Sequence, residues 1–270
     1  MYQEVQHMEQ RMYRRTARRR GILLAVAFIL TCAFSLGLKG ADGGIAGFAG
    51  SNARTVHQAK KVLREHPEYP AELTDMLKNN PETAQFILDY GTEAGKEHDT
   101  DISGELKTGQ IPLFIQWDER WGYETYGNKM LAADGCGPTS LSMVLAGLTQ
   151  DAKWTPLKVA QFAENNGYYV DGSGSSWDLM KSGAEQLGVH SRELSKDASV
   201  ISKELQEGHP VICIMGPGDF TTGGHFIVLT AINGNGTVIV NDSNSVINSN
   251  KEWDLDDIIP QMKNLWAFSR

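Results

Sequence analysis

Apolar residues follow a helical spacing along most of this chain and a strand-like spacing toward its C-terminus. Apolar positions three or four residues apart predict helices, and short apolar runs between turn residues predict buried strands. The predicted helices cover residues 53–65, 71–78, 82–90, 141–148, 157–166, 179–187 and 199–207. The predicted strands cover residues 210–215, 225–233, 237–241 and a stretch near 266–268. Helices followed by antiparallel strands indicate an α+β fold.

The N-terminal residues predict a membrane segment. Residues 1–20 contain six arginines and two glutamates, and residues 21–38 contain no charged side chain. Eighteen helical residues span about 27 Å, close to the ~30 Å hydrocarbon core of a bilayer. Because arginines before such a helix stay in the cytoplasm, the C-terminal part is expected outside the cell membrane, on a single-pass anchor.

A cleaved signal peptide has the same order of basic and apolar residues, and the protein would then be secreted. The long basic segment and the lack of a clean Ala-x-Ala site after the apolar run favour the uncleaved anchor. Four segments are therefore expected: a cytoplasmic basic segment (1–20), a transmembrane anchor or signal peptide (21–38), a linker with a helical spacer (39–108) and the main domain (109–270).

Charge and motifs exclude several kinds of partner. The formal net charge is −8, and because residues 1–20 carry +4, the remaining chain carries −12. A strongly acidic body is poorly suited to binding nucleic acid. The chain contains neither Cys-x-x-Cys nor His-Glu-x-x-His, so we expect no metal and no cofactor.

Three residues spread over the main domain suggest thiol chemistry. Cys136 stands between two glycines just before a helical run, where the positive end of a helix dipole stabilises a thiolate. His225 opens an apolar run after two glycines, and Asp242 closes the next one. A cysteine, a histidine and a carboxylate in this order are typical of a nucleophile, a general base and the group that orients the base. Asn241 is the alternative orienting residue, because neighbouring residues of a strand face opposite sides.

Cysteine usage leaves two other readings open. An isolated cysteine is more often a buried small hydrophobe than a nucleophile, and only the downstream His225 and Asp242 favour the second. Cys32 belongs to the apolar N-terminal run, and Cys213 lies in an apolar run that reads as a core strand. A disulfide between Cys136 and Cys213 would abolish nucleophilic chemistry.

Several short motifs in this order resemble the bacterial family-39-like cysteine peptidases, which are papain-fold relatives of the proteases that trim double-glycine leader peptides. The resemblance covers roughly residues 109–270. The motifs are QWDERWGY (116–123), GCGPTS (135–140), SW (176–177), GPGDF (216–220), GHF (224–226) and ND (241–242).

The resemblance implies a papain-like cysteine peptidase fold, with the nucleophile's helix packed on an antiparallel sheet. It implies Cys136, His225 and Asp242 as the catalytic triad, with the Gln116 side chain in the oxyanion hole beside the Cys136 backbone N–H. Gln116 stands twenty residues before Cys136, farther than in those relatives, so the residues between must loop out.

The expected function is peptide-bond cleavage outside the cytoplasm through a thioester, with a peptide or protein as substrate. Two alternatives remain open. One is a cysteine amidase or endopeptidase acting on peptidoglycan stem peptides, which keeps the same triad. The other is a catalytically silent binding module that retains only the fold.

Overall fold

The computed structural model describes residues 53–270, which belong to one compact unit. The predicted basic segment, the predicted membrane anchor and Cys32 lie outside the described residues. Within the described residues, no helix is both long enough and apolar enough to cross a membrane.

Ten α-helices are described, and most lie before the main strands. They are α1 Ala53–Glu65, α2 Ala71–Asn79, α3 Ala84–Glu93, α4 Leu131–Asp134, α5 Cys136–Thr149, α6 Pro156–Asn165, α7 Ser182–Gln186, α8 Ala198–Gln206, α9 Val246–Ser249 and α10 Leu255–Ile258. Short 3-10 helices cover Pro81–Thr83, Ser103–Glu105, Trp177–Met180 and Ile259–Gln261.

A six-stranded antiparallel sheet and two short hairpins make up the described strands. The hairpins are β1 Thr125–Tyr126 with β2 Lys129–Met130, and β3 Tyr169–Val170 with β4 Gly174–Ser175. The sheet strands are β5 His190–Glu193, β6 Val211–Met215, β7 His225–Ile232, β8 Thr237–Asp242, β9 Glu252–Asp254 and β10 Met262–Ser269. Their order in the sheet is β5-β10-β6-β7-β8-β9.

The sheet is buried on both faces, which explains why its central strands read as continuous apolar runs. One face packs on α5; it presents Ile212, Ile214, Phe226, Val228, Trp266 and Phe268. The other face packs on α8 and α10 through side chains such as Ile201 and Ile258. Helix α5 is buried along most of its length and forms the centre of the first layer.

The N-terminal helices share a hydrophobic cluster with residues of the main domain. Leu73, Leu77 and Ile87 are buried against Trp117 and Ala132 in this cluster. The Phe86 ring also stacks on Tyr123, with ring centroids 4.1 Å apart. The helical segment is therefore packed against the part of the chain that leads into α5.

Mixed helices and an antiparallel sheet agree with the α+β fold expected from the sequence. The Asn-Gly-Asn-Gly turn at 233–236 does join two adjacent strands, β7 and β8. The stretch 171–176, which lies between two predicted helices and outside every predicted strand, contributes β4, and the predicted helix over 179–187 is a 3-10 turn followed by the short α7. Strands of two residues are too short to show an alternating pattern.

Truncation of a side chain at the centre of the first layer is expected to destabilise the fold. Leu145 on α5 is fully buried, so Leu145→Ala should lower the free energy of unfolding by about 2–5 kcal/mol. Leu148 on the same helix is only partly buried, and Leu148→Ala should cost clearly less. Urea unfolding of both variants measures the difference, and equal losses would contradict the packing described for α5.

Candidate active site

Cys136 is the first residue of α5. The helix begins five residues earlier than the sequence predicted, with Gly135 as its N-cap residue. The thiol is half-buried and free, at the positive end of a fourteen-residue helix. Glycine is required at 137, because a Cβ there would lie 2.5 Å from the Ser175 hydroxyl. The turn carrying Cys136 is thus tightly packed at Gly137, while Cys136 itself is half-buried.

His225 and Asp242 lie at the same end of the sheet. Strand β7 begins at His225 and the antiparallel β8 ends at Asp242, which pairs with Ile227. Paired residues on neighbouring strands face the same side of the sheet, and so do residues two apart on one strand. Asp242 therefore faces the same side as Ile227 and His225. The distance from His225 Nε2 to Asp242 Oδ1 is 2.7 Å, and both residues are buried, at 6% and 1% exposure.

Cys136 lies close enough to the His225 ring to act on its pKa together with Asp242. Because an ionised carboxylate only accepts, Nε2 donates to Asp242 and Nδ1 remains for the thiol. Burial alone lowers the pKa of His225, but the negative charge and hydrogen bond of Asp242, together with Cys136, outweigh it. The net effect raises the pKa of His225 from 6.5 to about 10, which favours an imidazolium.

The neighbour Asn241 faces the opposite side of β8. Its side-chain amide donates to the carbonyl oxygens of Pro112, at 2.9 Å, and Ile111, at 3.2 Å. These bonds connect residues 111–112 to β8. Between the two candidates for orienting the histidine, the structure brings Asp242 to the ring.

Gln116 lies between the cysteine turn and the end of β8 despite its distance in sequence. Its side-chain nitrogen donates to the carbonyl oxygen of Ala132 at 2.7 Å, and its side-chain oxygen accepts from the Ser243 hydroxyl at 3.1 Å. The stretch between Gln116 and Cys136 does loop out, through the β1–β2 hairpin. The amide is buried and one of its hydrogens is directed to Ala132, so its place in an oxyanion hole stays a prediction.

Sequence reasoning missed the residues that hold the Asp242 carboxylate. The backbone N–H of Asn244 donates to Oδ1 and the side-chain amide of Asn248 donates to Oδ2, both at 2.9 Å. The Asn244 contact is an Asx turn, in which an Asp or Asn side chain bonds the backbone two residues on, so Asp242 in a polar stretch was the available signal. The Asn248 contact depends on the short helix α9 and has no comparable signal.

The second cysteine of the described residues is structural. Cys213 is fully buried in β6, and burial raises the pKa of its thiol well above the usual range. Cys136 and Cys213 are both free, so the disulfide considered above is not formed. The reading of Cys213 as a core residue is confirmed.

Within residues 53–270, Glu204, Glu207 and His209 could together approach a metal ion. The Glu204 oxygens, however, already accept from Arg192 at 2.6 Å and from His209 at 3.0 Å. A buried carboxylate with an arginine and a histidine as partners is a satisfied ion pair. These contacts explain the cluster without an ion.

The model of the Peptidase_C39 like family matches residues 108–269, and the chain belongs to this family. Among curated proteins, none matches this chain. A solved structure similar to it is the peptidase domain of Streptococcus ComA, a bi-functional ABC transporter involved in a quorum sensing pathway. The identity is 17%, the TM-score is 0.40, and the match covers 50% of this chain and 91% of that one. A likeness this distant supports no further statement about this chain.

The buried pair of His225 and Asp242 should make stability depend on pH. Folding raises the pKa of His225, so the protonated pair stabilises the fold fully below about pH 6.5 and loses this contribution toward about pH 10. We expect the difference in melting temperature between the parent and Asp242→Asn to shrink across that window. Asp256→Asn, at an exposed carboxylate, is the control. A difference that stays constant from pH 6.5 to 10 would contradict the raised pKa.

Proposed function

We propose that this protein is an extracytoplasmic cysteine peptidase that cleaves peptide bonds through Cys136, His225 and Asp242. The observation that carries the proposal is the position of His225, whose ring bonds to Asp242 and lies near enough to Cys136 for the thiol to contribute to its raised pKa. Family membership supports a cysteine peptidase and a peptide or protein substrate. The arginine-flanked apolar run 21–38 supports the location outside the cytoplasm.

The arrangement of a nucleophile helix on an antiparallel sheet supports a papain-like mechanism. The Cys136 thiolate attacks the peptide carbonyl carbon, and the carbonyl π electrons move onto oxygen to form a tetrahedral oxyanion. The C–N bond then breaks while the His225 imidazolium gives its proton to the leaving amine, and a thioester remains. Neutral His225 next takes a proton from water, the resulting hydroxide attacks the thioester, and the thiolate leaves as the carboxylic acid forms.

The structure contains suitable groups for each supporting role. Asp242 holds the ring with Nε2 protonated and stabilises the imidazolium by its charge, so the ring neither rotates nor changes tautomer. We assign the developing oxyanion to the backbone N–H of Cys136 at the start of α5 and to the Gln116 amide. Gln116 would then use the hydrogen that does not point to Ala132, in place of its longer contact to the Ala133 carbonyl oxygen at 3.5 Å.

Thiol reactivity tests the proposal without knowledge of the substrate. In the full chain carrying Cys32→Ser and Cys213→Ser, only Cys136 can be alkylated. We expect rapid labelling down to about pH 5, because the imidazolium keeps the sulfur ionised. His225→Ala should slow labelling in acid. His190→Ala, which removes an exposed ring that is not part of the proposed triad, should not.

Labelling only above about pH 8.5, or none at all, would instead favour a silent binding module.

Turnover separates the two classes of substrate. Purified full chain should cleave unfolded peptides, and Cys136→Ala should reduce the rate by about a thousandfold or more, since it removes the nucleophile. Release of peptides or amino sugars only from purified peptidoglycan would identify a cell-wall amidase or endopeptidase instead. Undiminished cleavage by Cys136→Ala would show that the assigned triad is wrong.

A further inference from the structure

The loop that follows β8 provides most of the donors to the Asp242 carboxylate. Asn244 and Asn248 bond to its two oxygens, and the Asp242 backbone N–H donates to the Ser249 hydroxyl at 2.9 Å. The conformation of residues 243–249 therefore fixes the direction in which the carboxylate points. Helix α9 within this loop has only four residues, and so short a helix has little stability of its own.

Two side chains of the N-terminal helical segment hold this loop from outside. The Asn80 side-chain amide donates to the carbonyl oxygen of Asn244, which also accepts from the Trp117 indole at 3.0 Å. The Glu82 carboxylate accepts from the Ser245 hydroxyl and, at 3.1 Å, from the Ile247 backbone N–H. Ser245 is the N-cap residue of α9, so Glu82 lies at the positive end of that helix.

Asn80 is itself held firmly. It is buried, its side-chain oxygen accepts from the Glu82 backbone N–H at 2.9 Å, and its carbonyl accepts from the Thr83 hydroxyl. The fixed proline at 81 follows it at the first position of the 3-10 turn. This short turn therefore holds Asn80 and Glu82 in fixed positions against the loop. It joins α2 and α3, which are buried against the main domain.

We propose that Asn80 and Glu82 are positioning residues for catalysis, which hold residues 243–249 so that Asp242 stays aligned with His225. This inference rests on the proposed function for the meaning of that alignment. Both residues lie before residue 108, outside the part of the chain that the family model matches. The helical segment accordingly contributes positioning residues to the proposed active site.

The test uses Asn80→Ala and Glu82→Ala in the full chain, with Asn79→Ala as the matched control. Asn79 is the adjacent asparagine, but it is exposed. Titration of the His225 ring by NMR is the first readout; the ring signal is assigned by its loss in His225→Ala. Asp242 and Cys136 are the groups that act on the pKa of the ring. The Asp242→Asn variant gives the reference pKa of His225 without the carboxylate.

A loosened Asp242 raises the His225 pKa less. We expect both variants to lower that pKa by at least about one unit toward the Asp242→Asn value. We also expect kcat/KM to fall by about tenfold, mostly in kcat, because misalignment weakens the transition state rather than binding. The alkaline limb of the pH profile should move to lower pH, which a merely destabilised enzyme would not show. Asn79→Ala should match the parent in every measurement.

His225 titrating as in the parent, in both variants, would overturn the proposal. Because this titration needs no turnover, the two ideas fail separately. An inactive parent whose His225 still shifts in the variants would remove the proposed function and keep the structural coupling. An active parent with no shift would do the reverse. If either alanine variant lacks a cooperative thermal transition, Glu82→Gln, which keeps one acceptor oxygen, replaces it under the same criterion.

Discussion

A carboxylate that is 1% exposed must find its hydrogen-bond donors inside the protein, because an unpaired buried charge costs several kcal/mol. Asp242 meets this constraint with three donors: the His225 ring, the Asn244 backbone and the Asn248 amide. Each donor places a demand on a different part of the fold. The ring requires β7 to begin beside the end of β8, and the other two require the chain to turn back immediately and form α9. The architecture at this end of the sheet follows from the need to keep one negative charge paired.

The same charge explains the difference between the two described cysteines. Cys213 is surrounded by apolar side chains on β6, where nothing stabilises a thiolate, and burial keeps its proton on. Cys136 stands at a helix start and beside an imidazole whose positive charge Asp242 supports. The carboxylate thus acts on the sulfur through the ring between them. Burial separates the two residues as well, since Cys136 is half-buried and Cys213 is fully buried.

Much of this arrangement could be predicted from the sequence, because it depends on local patterns. Periodicity gave α1, α6 and α8 to within a residue or two, and the apolar runs gave the central strands. The order of Cys136, His225 and Asp242 also placed them at helix and strand ends, where the structure brings the three together. The edge strands β5 and β9 were missed, since they are short, polar and stabilised only by their pairing partners. Contacts such as Gln116 to Ala132 and Asn80 to Asn244 join distant parts of the chain, and no local pattern encodes them.

Those distant contacts change how the N-terminal helices are understood. Viewed in sequence, residues 53–93 are a thin amphipathic segment with too few apolar positions for a core of their own. In the structure their apolar side chains share one cluster with Trp117 and Ala132, which lie near Gln116 and the cysteine turn, and with Val246, the first residue of α9. A displacement of the helices would therefore reach both sides of the site at once.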